Sequence, residues 1–393
     1  MEQFSSITYT IPYLLMLFYL AGLAFYKHNA PEEKNLLITG LCVFGYMFFF
    51  GLRGWVFDDW VNYYETYDKC SLDSLVNIGH TIEDTFFEPG FMILMILCKL
   101  IFPRYEFFVF VCCAINCFLL FRFLIQRVDN LPLALVFFFC MGGIVIQTNL
   151  MRNSLAVLIF LNSLTLLENR RFLPYLGCCV LAMCFHASSI IFIPLFFFLH
   201  RRMPKWLFLS IIIAGNIVFL CHIYFVTPIL VKVASMVGEN YEMLIERYTE
   251  GVMADKSVGL SIGYLERLLT SFLIFCYYDK LIEIREENKL FINSFVCFFV
   301  TYFLFSEFAE LSERLSTLFI YCYWILWGDL MGCFSIRNNK LLYIGYLGIY
   351  CILKVMGSTM LVTQKYDNIL LNPDSYEERL YIHDKYTEDK LLN

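Results

Sequence analysis

A charge inside or beside a long apolar run is costly, so the residues that interrupt the apolar pattern of this chain are where its chemistry is sought. The first interruption is Gly51-Leu52-Arg53-Gly54-Trp55-Val56-Phe57-Asp58-Asp59-Trp60-Val61-Asn62-Tyr63-Tyr64. A guanidinium, carboxylates and aromatic rings at a membrane surface suit a sugar diphosphate. Arg53 would bind phosphate oxygens, Asp58 or Asp59 would take a hydroxyl proton, and Tyr63 and Tyr64 would stack on sugar. An interfacial aromatic belt with a snorkelling Arg reads the same way. The second is Glu88-Pro89-Gly90-Phe91, where Glu88 is either a ligand contact or an acidic residue in a first helical turn. In Gln147-Thr148-Asn149-Leu150-Met151-Arg152-Asn153, helical spacing puts Asn149, Arg152, Asn153 and Ala156 on one face. An Arg among amides there needs an anion or a wet cavity, unless the segment is a polar turn between helices. Phe185-His186-Ala187-Ser188-Ser189 places a His deep in an apolar run, either as a packed core residue or beside a helix break that lines a cavity. The last is Ser306 to Arg314, in which Glu310 and Arg314 can pair as i, i+4 neighbours, or Arg314 can meet a lipid headgroup.

Arg53, Arg152 and Arg314 each fall at a span end or in a polar interruption. An amphiphile with a lipid-linked diphosphate would need such cations, because its tail stays in the bilayer and its charge at the interface. The elements that must position them are apolar helices. Candidate spans lie near 9–26, 36–52, 87–102, 106–125, 132–148, 152–167, 172–199, 206–226, 263–278, 290–305, 315–334 and 341–362. Since about 20 apolar residues cross a bilayer, this predicts an all-α polytopic integral membrane protein with about 11–13 transmembrane helices. The runs are continuous rather than alternating, which excludes barrel strands. The first span lacks a basic leader and a cleavage site, so it reads as retained.

Composition agrees. Of 393 residues, 60% are hydrophobic and 16% charged, against roughly 45–50% and about 25% in soluble domains. Soluble enzymes, disordered chains and small disulfide scaffolds are excluded. A net charge of −6 offers no basic excess for nucleic acid. Most of the 16 Cys sit in apolar runs with neither C-x-x-C pairs nor zinc spacing, so they read as small hydrophobes. Basic clusters at Lys27 to Lys34, Arg122 to Arg127, Arg170–Arg171, Lys280 to Lys289 and Arg337 to Lys340 mark cytoplasmic loops. The segments 53–88 and 227–262 lack that excess and read as extracytoplasmic, the latter with Tyr241, Leu244, Ile245 and Tyr248 on one face of an interfacial helix. Strict alternation of sides fails unless 87–102 does not cross or 172–199 is broken or re-entrant. No internal repeat is visible, and the expectation is one membrane domain over 1–362 with a short polar tail over 363–393.

In this order the interruptions resemble the EpsG-like family of bacterial exopolysaccharide proteins, grouped with Wzy-type O-antigen polymerases. The R-x5-D-x3-Y element is Arg53, Asp59 and Tyr63. The E-P-G-F element is Glu88 to Phe91, the R-x3-A element Arg152 and Ala156, and the F-H-x-S element Phe185, His186 and Ser188. A late E-R is Glu313–Arg314, and a Tyr after the last span is Tyr366. The chain departs from the family at Phe57, where Gly is common, and at Asp58, where a small polar residue stands.

The resemblance implies a glycosyltransferase with a GT-C-like arrangement in the bacterial cytoplasmic membrane. It would join undecaprenyl-diphosphate-linked oligosaccharide repeats at the outer face, with chain-length regulator and flippase proteins as partners. Asp59, His186 and Arg152 would be catalytic. Arg53, Asp58, Tyr63, Glu88, Asn149, Arg314 and Tyr366 would bind substrate, with no metal or cofactor. Three alternatives remain open: a flippase or transporter of the same lipid, a glycan ligase, and a membrane O-acyltransferase in which His186 dominates.

Overall fold

The computed structural model describes residues 4–85, 87–223, 226–229, 232, 261–371 and 373–392. Most of the expected interfacial segment 227–262, with Tyr241, Leu244, Ile245 and Tyr248, lies outside them. The described residues are helical, with isolated bridge pairs only at Ser5–Leu361 and Arg53–Asn368. The chain is an all-α polytopic membrane protein. Among the described residues, five helices are long and apolar enough to cross a membrane: Ile7–Asn29, Glu32–Gly51, Tyr105–Ile125, Leu131–Thr148 and Arg337–Gly357. Shorter apolar helices, such as Lys205–Leu220 and Asn288–Leu304, accompany them. Exposed Phe25, Leu36, Leu173 and Trp206 suit a lipid-facing surface. All 16 cysteines are free thiols and most are buried, as small hydrophobes should be.

Two expected spans are not simple crossings. Pro89–Ile101 has 13 residues, which at 1.5 Å each is about 20 Å against a hydrocarbon core of about 30 Å. The run 172–199 breaks: Phe172–Met183 is α-helical, the chain turns at Cys184 to His186, and Ala187–Phe197 continues as a 3-10 helix containing Pro194.

The chain divides into two compact units. The first comprises Met1–Phe197 and Tyr343–Asn393, so the polar tail is part of it. There the helix Met151–Glu168 packs against Phe172–Met183 and Tyr105–Ile125, and Ile11–Asn29 against Leu131–Phe138. A polar relay crosses this apolar interior. Asn116 Nδ2 donates to Gln147 Oε1 at 3.0 Å, and Gln147 Nε2 donates to Ser154 Oγ at 2.9 Å. Such links hold helices together where lipid offers no hydrophobic drive.

The second unit is Phe198–Leu342. Asn288–Leu304 is its central helix, packed on Lys205–Leu220, Ala309–Thr317 and Tyr321–Cys333. Asn293 Nδ2 satisfies the carbonyls of Leu199 and Arg201, at 2.8 and 2.7 Å, where the preceding helix has run out. Glu307 accepts from the backbone N–H groups of Val226 and Thr227, both at 2.9 Å. Arg314 does not open an apolar span. It is exposed in the last turn of the short helix Ala309–Thr317, and the apolar helix starts at Tyr321. The side chain of Glu310, its expected partner, lies outside the described residues.

A buried charged pair ties Arg127 to the helix Met151–Glu168 in the first unit. Arg127 Nη1 and Nη2 meet Glu168 Oε1 and Oε2 at 2.6 and 2.7 Å, with the arginine side chain 7% exposed. A fork this buried depends on its partner. Glu168→Ala should cost about 3 kcal/mol by stranding the guanidinium, read as a lower thermal midpoint of the purified protein in detergent. An unchanged midpoint would mean that water already solvates the arginine.

Candidate active site

The helix Asn35–Tyr46 does not end cleanly. It widens into a π-type turn, Met47–Gly51, which frees carbonyls inside an apolar interior. Three side chains take three consecutive ones. Asn368 Nδ2 donates to Phe48 O, the Tyr366 hydroxyl to Phe49 O, and Arg53 Nη1 to Phe50 O, each at 3.0 Å. Arg53 Nη2 reaches Thr148 O at 3.4 Å. Buried Arg53 therefore sits among helix-end carbonyls, whose partial negative charge suits a cation. Tyr366 also stacks on Phe49, with centroids 4.4 Å apart. Burial raises its hydroxyl pKa to about 12, so it stays a donor.

Next comes a sharp turn. Gly54 donates its N–H to Asp367 O at 3.1 Å, and a Cβ at 54 would lie 2.0 Å from Asp367 Oδ2, so only glycine fits. Buried Asp367 accepts from Trp55 N at 3.3 Å, and desolvation raises its carboxyl pKa. Phe57 has φ 72°, the left-handed region, which explains why a glycine suits this position. Its N–H bonds Thr363 O at 2.8 Å and its carbonyl takes Trp60 Nε1 at 3.0 Å, so the surroundings impose the strain.

This turn delivers Asp58 and Asp59 to the start of the helix Trp60–Lys69, which has no side-chain cap of its own. Asn149 supplies one from afar: its Oδ1 accepts from Asp59 N at 2.8 Å and Asp58 N at 3.2 Å. The Tyr63 hydroxyl donates to Asn149 O at 3.2 Å. Asp58 and Asp59 remain partly exposed while Tyr63 is buried. Desolvation, then the nearby Asp59, push the Tyr63 pKa up to about 12, opposed by Arg152. The aromatic rings, however, pack on one another. Trp55 stacks on Tyr105 at 5.3 Å, and Tyr64 meets Tyr376 at 4.5 Å.

Glu88 joins the remaining elements. Its Oε2 accepts from Arg152 Nη1 at 2.7 Å, and its Oε1 accepts from Ala187 N at 3.0 Å. His186 Nδ1 lies 3.9 Å from the same Oε1. Two residues on, Gly90 N donates to Cys184 O at 2.7 Å, where a Cβ would sit 2.8 Å from that oxygen. The break after Met183 is thus docked by Glu88 and Gly90. Arg152 lies over the Phe87 ring at 4.6 Å, and its buried Nε has no hydrogen-bond partner. His186 Nδ1 accepts from Ser188 N at 3.2 Å, with Ser188 Oγ at 3.0 Å. A neutral ring accepting at Nδ1 carries its proton on Nε2.

The first unit therefore brings Asp58, Asp59, Tyr63, Glu88, Asn149, Arg152 and His186 into one linked set. Arg53 and Tyr366 attach to it through the turn beneath. Arg314 is in the second unit. Asn368 and Asp367 are supports that the sequence reading missed, whereas Ser188 was read as part of the F-H-x-S element. The polar run Tyr366-Asp367-Asn368 after an apolar stretch was the signal for the first two.

The sequence profile of the EpsG family matches residues 35–368. Searches of curated proteins and of solved structures each return no match.

The strain at Phe57 makes a testable inversion. Phe57→Ala and Phe57→Gly both lose a buried ring, but glycine alone is relaxed at this φ. The glycine variant should be the more stable by about 1 kcal/mol, against the usual order. Thermal unfolding in detergent decides, and alanine being the more stable would show that the backbone relaxes.

Proposed function

The chain belongs to the EpsG family, a Wzy-like polysaccharide polymerase family, and from that premise we propose that it joins lipid-linked oligosaccharide repeats by glycosyl transfer. The donor and acceptor would be undecaprenyl-diphosphate-linked repeats, and the site would face outward from the bacterial cytoplasmic membrane. The observation that carries the reading is Glu88, which holds Arg152 on one oxygen and the His186–Ser188 turn on the other. Three motifs far apart in sequence meet there.

In the proposed step, an acceptor hydroxyl attacks the anomeric carbon of the donor sugar. The new C–O bond forms as the bond to diphosphate breaks, and the leaving diphosphate takes the electron pair. The acceptor proton passes to Asp59, a partly exposed carboxylate fixed at a capped helix start. Arg152 offers its remaining donors to the diphosphate. Its Glu88 partner orients the guanidinium without using all five N–H groups. His186, with Nδ1 engaged by Ser188 N, presents Nε2–H as a donor to the leaving oxygens. Asp59 is therefore the better base and His186 the better donor. Glu88, with both oxygens occupied, is a positioning residue. Arg53 and Tyr366 support the turn on which Asp59 stands, and Asn149 sets its helix.

A flippase or a ligase would use the same cations. Purified protein in liposomes with a lipid-linked repeat separates them: a polymerase yields a ladder of joined products, a flippase only translocation, a ligase transfer to a different acceptor.

Two variants sharpen the assignment. Arg152→Ala should lower polymer formation roughly 10²–10³-fold at equal folded protein, by analogy with other transition-state anion donors. Arg53→Ala should instead lose stability, about 2–3 kcal/mol for charged bonds to buried carbonyls. Wild-type polymer levels with Arg152→Ala would remove that residue from the site.

A further inference from the structure

We propose that the second unit carries an anion site of its own, built on Arg267 and fit for the phosphate of a lipid-borne diphosphate or of an anionic phospholipid headgroup. Arg267 stands in the second turn of the helix Ile262–Cys276. Its guanidinium carbon lies 3.6 Å from the Tyr302 ring centroid and 5.6 Å from that of Phe298, both on Asn288–Leu304. Stacking fixes the plane of the fork and leaves its edge to donate, the geometry that suits a phosphate. The buried Nε has no hydrogen-bond partner. Opposite it, Nη1 lies 3.0 Å from where a Cβ at Gly263 would stand, so the missing side chain makes room for the guanidinium.

The neighbouring acid does not neutralise it. Successive residues on a helix do not face each other, and buried Glu266 is held elsewhere. Its Oε1 accepts from Thr270 Oγ1 at 2.7 Å and its Oε2 from the Tyr323 hydroxyl at 3.3 Å, while Trp327 Nε1 donates to Thr270 Oγ1 at 3.1 Å. Among the described residues no carboxylate forms an ion pair with Arg267. Exposed Glu313 acts on Tyr302, the ring on which the guanidinium stacks. Its short helix is tied down by Ser312 Oγ donating to Tyr302 O at 2.8 Å. A half-buried arginine, stacked on rings and with no carboxylate partner among the described residues, is a costly arrangement unless an anion meets it. The proposal rests on the reading above in one respect: joining two lipid-linked repeats brings two diphosphates to one protein, and the first unit's Arg152 accounts for one of them.

The test is the stoichiometry with which a labelled polyprenyl diphosphate binds the full chain in phosphatidylcholine nanodiscs. Binding is read without polymer formation, so failure of the polymerase reading leaves it interpretable. Wild type should hold two equivalents. Arg267→Gln should lose one and keep the other, and Arg152→Gln should lose the one that Arg267→Gln keeps. Gly263→Ala, which crowds Nη1 while keeping the charge, should weaken only the Arg267 equivalent, several-fold. If phosphatidylglycerol displaces that equivalent from wild type, the headgroup is an occupant; if it does not, the site is for the diphosphate substrate. Unchanged stoichiometry and affinity in Arg267→Gln would overturn the proposal, as would both arginine variants abolishing the same single equivalent.

Discussion

A carboxylate with two oxygens can face two ways, and the proposed site depends on Glu88 doing so. One oxygen fixes a guanidinium at the start of Met151–Glu168, and the other receives a backbone N–H from the turn after Met183. Charge-assisted bonds of this kind strengthen where water is scarce. The pair also limits the cost of leaving Arg152 near the membrane with donors to spare. An arginine fully neutralised by a second carboxylate would have nothing left for a substrate anion. One with no partner would be expensive to hold and poorly aimed.

The rest of the first unit meets a demand that the bilayer imposes. Backbone groups freed in an apolar interior must find partners within the protein. The widened turn at Met47–Gly51 frees carbonyls, and Arg53, Tyr366 and Asn368 take them. Those bonds pull the segment after the last long helix against the second, and Asp367 then closes on Gly54. The strained Phe57 follows and hands the chain to Asn149, whose amide aligns Asp58 and Asp59. The same charged and aromatic residues that suit a ligand on paper are partly spent on this scaffolding.

That division explains what was legible in the sequence. Apolar runs gave the helical class and most helix positions, because hydrophobic length is a strong signal, but only five of the described helices are long and apolar enough to cross a membrane against the 11–13 expected. The interruptions at 53–64, 88–91, 147–153 and 185–189 were legible as important because polarity at membrane depth is costly. The excess length of 172–199 announced its break. What each polar group touches was not legible. Whether Arg53 points at a carbonyl or a phosphate depends on a π-type turn that leaves little trace in composition. Tyr64 read as a sugar platform but packs on Tyr105 and Tyr376, since rings bury against rings when the chain brings them together. The tail read as a polar appendage, yet Tyr366 to Asn368 bond the Met47–Gly51 turn and the Gly54–Trp55 backbone. Arg267 gave no signal by position because it lies inside a helix of ordinary amphipathic spacing.

The central claim is that Glu88 and Arg152 act as one unit in the chemistry, and a double-mutant cycle on polymer formation in reconstituted liposomes tests it most directly. With Glu88→Gln, Arg152→Ala and the double variant compared at equal protein, the double variant should be no slower than Arg152→Ala alone. Rate losses that simply multiply would show two residues working independently and would contradict the account.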